Sequence, residues 1–293
     1  MKPPSYIVVL ADSDPVARAV SEQLSGGRAT DYRVDGASIR AVGDRVWAVR
    51  RPGPHIHDDR LDERLPAELR AQRVTLVFPS IHRSSEGRPA LTVHPLGNPR
   101  PTAEYGGAPE LLVPTNPPLM TGALLGLGEV AGAIDGLAAT FEATHHGPAL
   151  GVPAFFVEVG EEVLRRPESS EVVRRLSQLL LVMQPTQGDR VAVGVGGGHY
   201  VPQLTDLARR RRWSFGHLLS RYALDPWPEA SRRLRAAVER TPGAEGYVPA
   251  KRADPPIEFE RDPIPRLRPD EARPRAGPAM AGPERSDDHL SER

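Results

Sequence analysis

The sequence predicts an α/β fold: a single layered domain with a mixed, largely parallel central sheet, followed by a disordered C-terminal tail. Three observations carry that expectation. Short runs of β-branched and aromatic residues recur along the chain. Stretches with apolar residues at helical spacing lie between them. After residue 241 large apolar residues thin out while proline and charge accumulate.

The first run, "YIVVLA", reads as a buried strand. "DPVARAVSEQL" follows with Val16, Val20 and Leu24 on one helical face, Ser13 or Asp14 as N-cap and Gly26-Gly27 as the stop. "RVTLVFPSIH" (73–82) is a second core strand, expected to end at Pro79, and "ELLVPTNPP" (110–118) a third running into a proline bend. Residues 121–141 form a helix that carries five glycines. "PAFFVEVG" (153–160) is a strand, and "SSEVVRRLSQLLLVMQ" (169–184) a Ser-capped helix with a Val173, Leu176, Leu180, Met183 stripe. "RVAVGVGGG" (190–198) is a strand entering a glycine loop, and "QLTDLARRRR" (203–212) the helix after it. From Pro242 to Arg293 ten prolines fall among many charges, a composition too poor in apolar surface to offset ordering entropy. Residues 1–241 are therefore the expected catalytic domain, and 242–293 the tail.

Composition excludes several classes of function. The 38 basic and 38 acidic residues balance, so no whole-molecule field draws the chain to nucleic acid or membrane. Only Lys2 and Lys251 are lysine, and arginine use is uniform along the chain, which reads as compositional bias. The absence of cysteine rules out disulfides, thiol nucleophiles and thiolate metal sites, so a zinc ion would need histidine and carboxylate ligands. "LMTGALLGLGEVAGAIDGLAA" is broken by Glu129 and Asp135 and does not read as a membrane span. With no signal-peptide pattern at the N-terminus, a cytoplasmic protein is expected.

Eight of the nine histidines precede the tail. His82, His94, the adjacent His145 and His146, and His199 sit beside Gly, Pro or Ser, and His82 and His199 come shortly after expected strands. Open α/β folds place sites at such strand ends, and imidazole with carboxylate is the zinc donor set when thiolate is absent. Glu142 and Glu158 lie in the same apolar stretch, where an unpaired carboxylate is costly. The alternative for each histidine is a solvated or capping loop residue, and for Glu158 a strand-end partner of an arginine. On an extended backbone His145 and His146 point to opposite faces, so one ligates while the other meets substrate or supports a ligand from behind. "GVGGGHY" offers amides, including those of Gly197 and Gly198, as an oxyanion cradle, or is simply a tight turn. "GLGEVAG" (126–132), with no strand before it, reads as helix packing. Arg209, Arg210, Arg211 and Arg212 form the one local basic run, either a nucleic-acid contact or a solvated helix face.

In order along the chain, "SIHRSSEGRPALTVHPLGN", "EATHHGP", "FFVEVG", "GVGGGHYVP" and "FGHLLSRYAL" resemble the archaeal- and plant-type D-aminoacyl-tRNA deacylases. The resemblance runs from about residue 6 to 224. "VARAVSEQL" departs from the family's usual start, and the tail has no counterpart in it. It implies a zinc-dependent hydrolase that cleaves the ester between a D-amino acid and tRNA, on a phosphorylase/peptidyl-tRNA hydrolase-like fold. Metal-assisted hydrolysis is then the expected mechanism. His82, His94, His145, Glu158 and His199 are the expected zinc ligands, with Glu142 or His146 as general base and Gly197 and Gly198 as oxyanion donors. The arginines 209–212 would face tRNA. A related metal-dependent amidohydrolase or nucleoside-processing enzyme, and a non-catalytic RNA-binding module, are the competing expectations.

Overall fold

A computed structural model describes residues 2–83, 87–226, 229–251, 257–258 and 262–275. The first elements are β1 (Tyr6–Ala11), α1 (Pro15–Gln23), β2 (Arg28–Val34), β3 (Ala37–Ala41), β4 (Val46–Arg51), α2 (Leu61–Arg64) and α3 (Ala67–Ala71). Then come β5 (Thr75–His82), β6 (Ala90–Pro95), α4 (Pro117–Gly132), β7 (Ala138–Phe141), β8 (Ala154–Gly160), α5 (Glu161–Leu164) and α6 (Ser169–Val182). Last are β9 (Arg190–Val195), α7 (Pro202–Arg210), β10 (Trp213–Leu219), α8 (Arg221–Leu224), α9 (Ala230–Glu239) and β11 (Ala244–Pro249).

One sheet has the order β2-β3-β4-β1-β5-β8-β6-β7, and a smaller one the order β10-β9-β11. The neighbours of β1, the β5–β8 pair and the β6–β7 pair are parallel, whereas β2–β3, β3–β4 and β6–β8 are antiparallel. Both ladders of the small sheet are parallel. The expected mixed, largely parallel α/β architecture is thus present, with a second sheet added to it.

The α1 start explains a local surprise. Asp14, not Ser13, caps the helix: one carboxylate oxygen accepts from the amides of Val16 and Ala17 at 2.8 and 2.9 Å. Its other oxygen accepts from the Ser80 hydroxyl and the Ile81 amide at 2.7 and 3.0 Å. The Ile81 amide therefore leaves β5 on the α1 side, and by the two-residue period Pro79 has its missing N–H on that same side. The β1 ladder has already stopped at Val77, so no strand partner is lost. β5 runs through Pro79 to His82 where the sequence suggested a stop.

Two other boundaries move. Residues 110–118 form no strand; Val113 and Thr115 donate their amides to Leu96 and Arg240 in a loop, and Asn116 caps α4. α4 ends at Gly132, and the residues expected to continue it supply β7. The α4 glycines are packing residues: a Cβ at Gly126 would stand 2.3 Å from the Leu179 side chain of α6, and one at Gly122 2.0 Å from the Gln184 carbonyl.

The packed chain continues past Thr241. β11 pairs with β9 and buries Tyr247 and Val248. Residues 262–275 return along the same unit, where the Trp213 indole donates to the Pro269 carbonyl at 2.9 Å. Arg275 meets the buried Asp189 carboxylate at 2.5 Å. The boundary drawn at 241 thus separates β11 from the sheet it completes, because three-stranded pairing and a buried ion pair supply order that composition alone did not signal. The rest of the expected tail, 252–256, 259–261 and 276–293, lies outside the described residues.

Candidate functional site

Three adjacent strands bring the chemistry together. β8 lies between β5 and β6, and its register sets Glu158 opposite Ser80 on one side and Thr92 on the other. His82 closes β5, and His94 sits opposite Phe156 near the end of β6. The His94 and Phe156 rings stack at 5.1 Å with 2° between planes. The segment after β7 crosses this edge: the Glu142 amide donates to Val93, and that of Ala143 to His199. One turn thereby presents Glu142, His145 and His146 to the strand residues and to the glycine loop.

His146 has φ 42°, so the backbone is left-handed there and not extended. That single torsion overturns the expectation that the adjacent histidines face opposite ways. The rings of His145 and His146 are 4.4 Å apart and stand 4.1 and 4.8 Å from His94. Each of the three imidazoles has Nδ1 against a carbonyl that can only accept: Pro95 for His94 at 3.2 Å, Ala143 for His145 at 2.8 Å, Gly147 for His146 at 2.7 Å. Nδ1 therefore carries the proton in each, and each Nε2 holds a lone pair, the tautomer used by metal-ligating histidines whose other nitrogen is anchored.

Beside this trio lie two buried carboxylates in unlike settings. Burial, and then the charge of Glu158, push Glu142 well above the ordinary carboxylate range. Burial alone would also raise Glu158, but contacts from His82 and His94 outweigh it and hold Glu158 ionised. His82 is engaged at both ends: Nδ1 lies 3.2 Å from Glu158 and 3.3 Å from Glu142, and Nε2 2.8 Å from the Tyr200 hydroxyl. His199 Nε2 stands 3.5 Å from Glu142. No arginine pairs with Glu158 in the ion pairs of the described residues; histidines surround it.

Burial lowers His145 well below its usual range, aided by His94 and the other neighbouring histidines. Burial, followed by His94, brings His146 down to about 4. Neutral imidazoles follow for both at physiological pH, the form that offers a lone pair. His94 Nε2 and both oxygens of Glu142 are buried without a hydrogen-bond partner. Orphaned acceptors of this kind cost about 1–3 kcal/mol each unless something positive is bound. Three overlapping groups have ligand atoms within 4.8 Å of one another: His94, His145 and His146; His82, Glu142 and His199; His94, Glu142 and Glu158. The donor set fits a metal ion.

Other expected residues sit elsewhere. The Gly196 amide donates to Leu219 at 2.8 Å, which leaves Gly197 and Gly198 as the candidate oxyanion donors of that loop. Arg209 to Arg212 do not converge on the histidines. Arg209 and Arg210 end α7, with Arg211 and Arg212 just beyond it; the helix leaves the site at Val201 and carries Arg209 roughly 12 Å along its axis at about 1.5 Å per residue. Arg209 turns inward onto the Ala139 carbonyl at 2.7 Å. Arg211 bonds the Ala272 carbonyl at 3.0 Å, and Arg212 lies 3.7 Å from Asp189. Arg210 keeps a solvated guanidinium, 4.0 Å from Asp206.

Two participants escaped the sequence reading. Tyr200 caps His82, a role that depends on a bridge between Glu142 and Tyr200 which spacing does not reveal. His217 supports the turn from behind. Its Nε2–H donates to the Val113 carbonyl at 3.0 Å, so its Nδ1 accepts the Thr144 hydroxyl at 3.1 Å. Thr144 in turn accepts the Leu218 amide at 3.0 Å.

Burial holds His217 down to about 3, opposed by the Val113 hydrogen bond. An unfolded histidine near 6.5 binds a proton that the folded one refuses, so stability is full above about pH 6.5 and falls as pH drops toward 3. Between pH 7 and 5 this residue alone should remove about 2 kcal/mol. Chemical denaturation of the wild type and of His217→Gln at both pH values checks it. The variant's dependence should be shallower by that amount, and parallel curves would refute a buried neutral His217.

The chain is also similar to proteins of known sequence and structure. A family model described as D-aminoacyl-tRNA deacylase matches residues 70–254. Two curated relatives, both named D-aminoacyl-tRNA deacylase, are 37% identical to this chain. The one from Thermoplasma acidophilum matches over 179 residues, 59% of this chain and 66% of its own. That from Thermococcus kodakarensis matches over 189 residues, 64% of this chain and 67% of its own. The chain thus spans about two thirds of the length of these relatives. The crystal structure of a conserved protein of unknown function, AF0625, superposes with a TM-score of 0.68 at 30% identity. The match covers 83% of this chain and 85% of that one.

Proposed function

The chain belongs to the D-aminoacyl-tRNA deacylase family, and from that premise we propose that it hydrolyses the ester joining a D-amino acid to tRNA, with a zinc ion held by His94, His145 and His146. The observation that supports this reading most directly is the gathering of ligand atoms of His94, His145 and His146 within 4.8 Å of one another, the Nδ1 of each anchored on a backbone carbonyl, beside a buried carboxylate without a hydrogen-bond partner. A cytoplasmic location accords with a tRNA substrate. No helix among the described residues is long and apolar enough to cross a membrane.

Bound zinc would supply a Lewis acid for the ester carbonyl and a positive charge that favours the ionised form of Glu142. The chain's own residues do the rest. Glu142, buried and 3.5 Å from His199, takes a proton from the attacking water as oxygen adds to the carbonyl carbon. The amides of Gly197 and Gly198 face the developing oxyanion. When the bond to the ribose oxygen breaks, the proton passes to that leaving oxygen, releasing the D-amino acid and tRNA. His82 and Glu158 hold the constellation in place, and Arg210 is the member of the basic run offered to phosphate.

The substrate ester needs only water, so the demand on the protein is selectivity. A D-amino acid differs from its L form in where the side chain leaves the α-carbon, and a pocket that fixes the amino and carbonyl groups excludes one enantiomer by clash. About 4 kcal/mol gives roughly a thousandfold preference. D-tyrosyl-tRNA and L-tyrosyl-tRNA incubated in parallel, with and without chelator, test this, alongside elemental analysis of protein purified without a histidine tag. Rapid release from the D ester alone, lost with chelator, is expected. Equal rates would reject the chiral assignment, and a metal-free protein with full activity would reject the zinc.

A further inference from the structure

Among the described residues the exposed large hydrophobic side chains are Tyr105, Val182 and Tyr222. Two of the three are tyrosines, and both hang from backbone that is hydrogen-bonded to a segment carrying site residues. Tyr105 is 66% exposed, and its carbonyl accepts the amide of Gly147, the residue after His146, at 3.2 Å. Tyr222 is 68% exposed and follows Arg221, whose amide donates to the carbonyl of Gly197 at 3.0 Å. The rings of His145 and His199 are 4.9 Å apart, so the two segments meet at the site itself.

Neither tyrosine is exposed because its loop is loose. The Tyr105 loop is fastened at both ends: the Gly97 amide donates to His146 at 2.8 Å, and the Asn98 side chain holds the Gly106 carbonyl at 2.9 Å. Gly106 has φ 78°, and a Cβ there would fall 1.7 Å from the Ile56 carbonyl. At Gly147 a Cβ would fall 2.2 Å from the Gly107 nitrogen. Backbone is pressed on backbone below while the aromatic ring stands in water above. α8 behaves alike: Ser220 caps it through the Ala223 amide at 3.2 Å, Ala223 and Leu224 are buried, and Arg221 and Tyr222 face solvent.

We infer that Tyr105 and Tyr222 are stacking platforms beside the site for the unpaired nucleobases at the tRNA 3′ end, with Arg221 facing its phosphates. The inference rests on the deacylase reading and specifies how that substrate is held. An aminoacyl ester at a polynucleotide terminus reaches the histidines only with its last bases lying beside them. Rigid aromatic faces bind single-stranded bases without regard to sequence, and an adjacent cation suits the backbone between them. A platform of this kind also accounts for enzyme contact with tRNA better than the arginine run at 209–212, which is largely engaged within the chain.

Steady-state hydrolysis of D-tyrosyl-tRNA by wild type, Tyr105→Ala, Tyr222→Ala and the matching Tyr→Phe variants tests it, with circular dichroism to verify folding. Each alanine variant should raise KM by about 10- to 100-fold with kcat within twofold, and each phenylalanine variant should keep the wild-type KM. An unchanged KM in both alanine variants overturns the inference while the wild-type rate still upholds the deacylase reading. A phenylalanine variant as impaired as its alanine counterpart also overturns it, because the hydroxyl would then be the contact and not the ring. A wild type that releases nothing from D-tyrosyl-tRNA overturns the reading beneath.

Discussion

His145→Ala and His146→Ala should each lower turnover of D-tyrosyl-tRNA by several powers of ten while the fold persists. Each removes one of three Nε2 donors in the proposed metal trio, and the two that remain do not make a closed ligand set. A loss of about 4–6 kcal/mol of transition-state stabilisation corresponds to about a thousand- to ten-thousandfold in rate or more. The cost to folding is far smaller. Both side chains are half-buried, and each gives up one hydrogen bond to a carbonyl, worth about 1 kcal/mol. Turnover, metal content and thermal unfolding measured on the same preparations separate the outcomes. Retained zinc with retained activity would remove the trio from the mechanism. Collapse of the circular dichroism signal would show the histidines to be core residues after all.

Glu142→Gln should reduce turnover by about a hundred- to ten-thousandfold, the range for loss of a positioned general base. The same change should leave stability within about 1 kcal/mol. Neither oxygen of Glu142 has a hydrogen-bond partner, so the isosteric amide forfeits no protein hydrogen bond. This separation is informative because Glu142 is fully buried, where loss of a well-paired carboxylate would cost several kcal/mol. Denaturant midpoints and single-turnover rates decide it. A strongly destabilised variant would mean that the carboxylate is a structural charge. An active variant would pass the base role to His199, 3.5 Å away.

Much of the site was legible before any coordinates. The absence of cysteine confined a metal to histidine and carboxylate, and the five histidines 82, 94, 145, 146 and 199 are the ones that gather around Glu142 and Glu158. Strand runs at 6–11, 154–160 and 190–195 and the helix from Ser169 were plain in their periodicity, because local apolar patterning is what those elements bury. The β2 and β3 strands went unread, since they form the outer part of the sheet where exposed and buried residues mix without clean alternation. β6 holds His94 and Pro95 in an otherwise short apolar run and resembled a loop.

The sequence by itself determined the layered α/β class, the donor chemistry and, through its ordered motifs, the family. Tertiary structure alone decided the geometry. Whether adjacent histidines diverge or converge depends on one left-handed torsion at His146, which is stable only where Gly107 packs against Gly147 and Tyr105 holds its amide. Which nitrogen of each imidazole carries the proton depends on carbonyls placed by strand ends and that turn. Whether Arg211 reaches a ligand depends on a C-terminal segment some 60 residues downstream that engages it first, and Arg209 is likewise held by the distant Ala139 carbonyl. Each of these is a contact between residues distant in sequence or a backbone state held by such contacts, and neither residue type nor spacing encodes it.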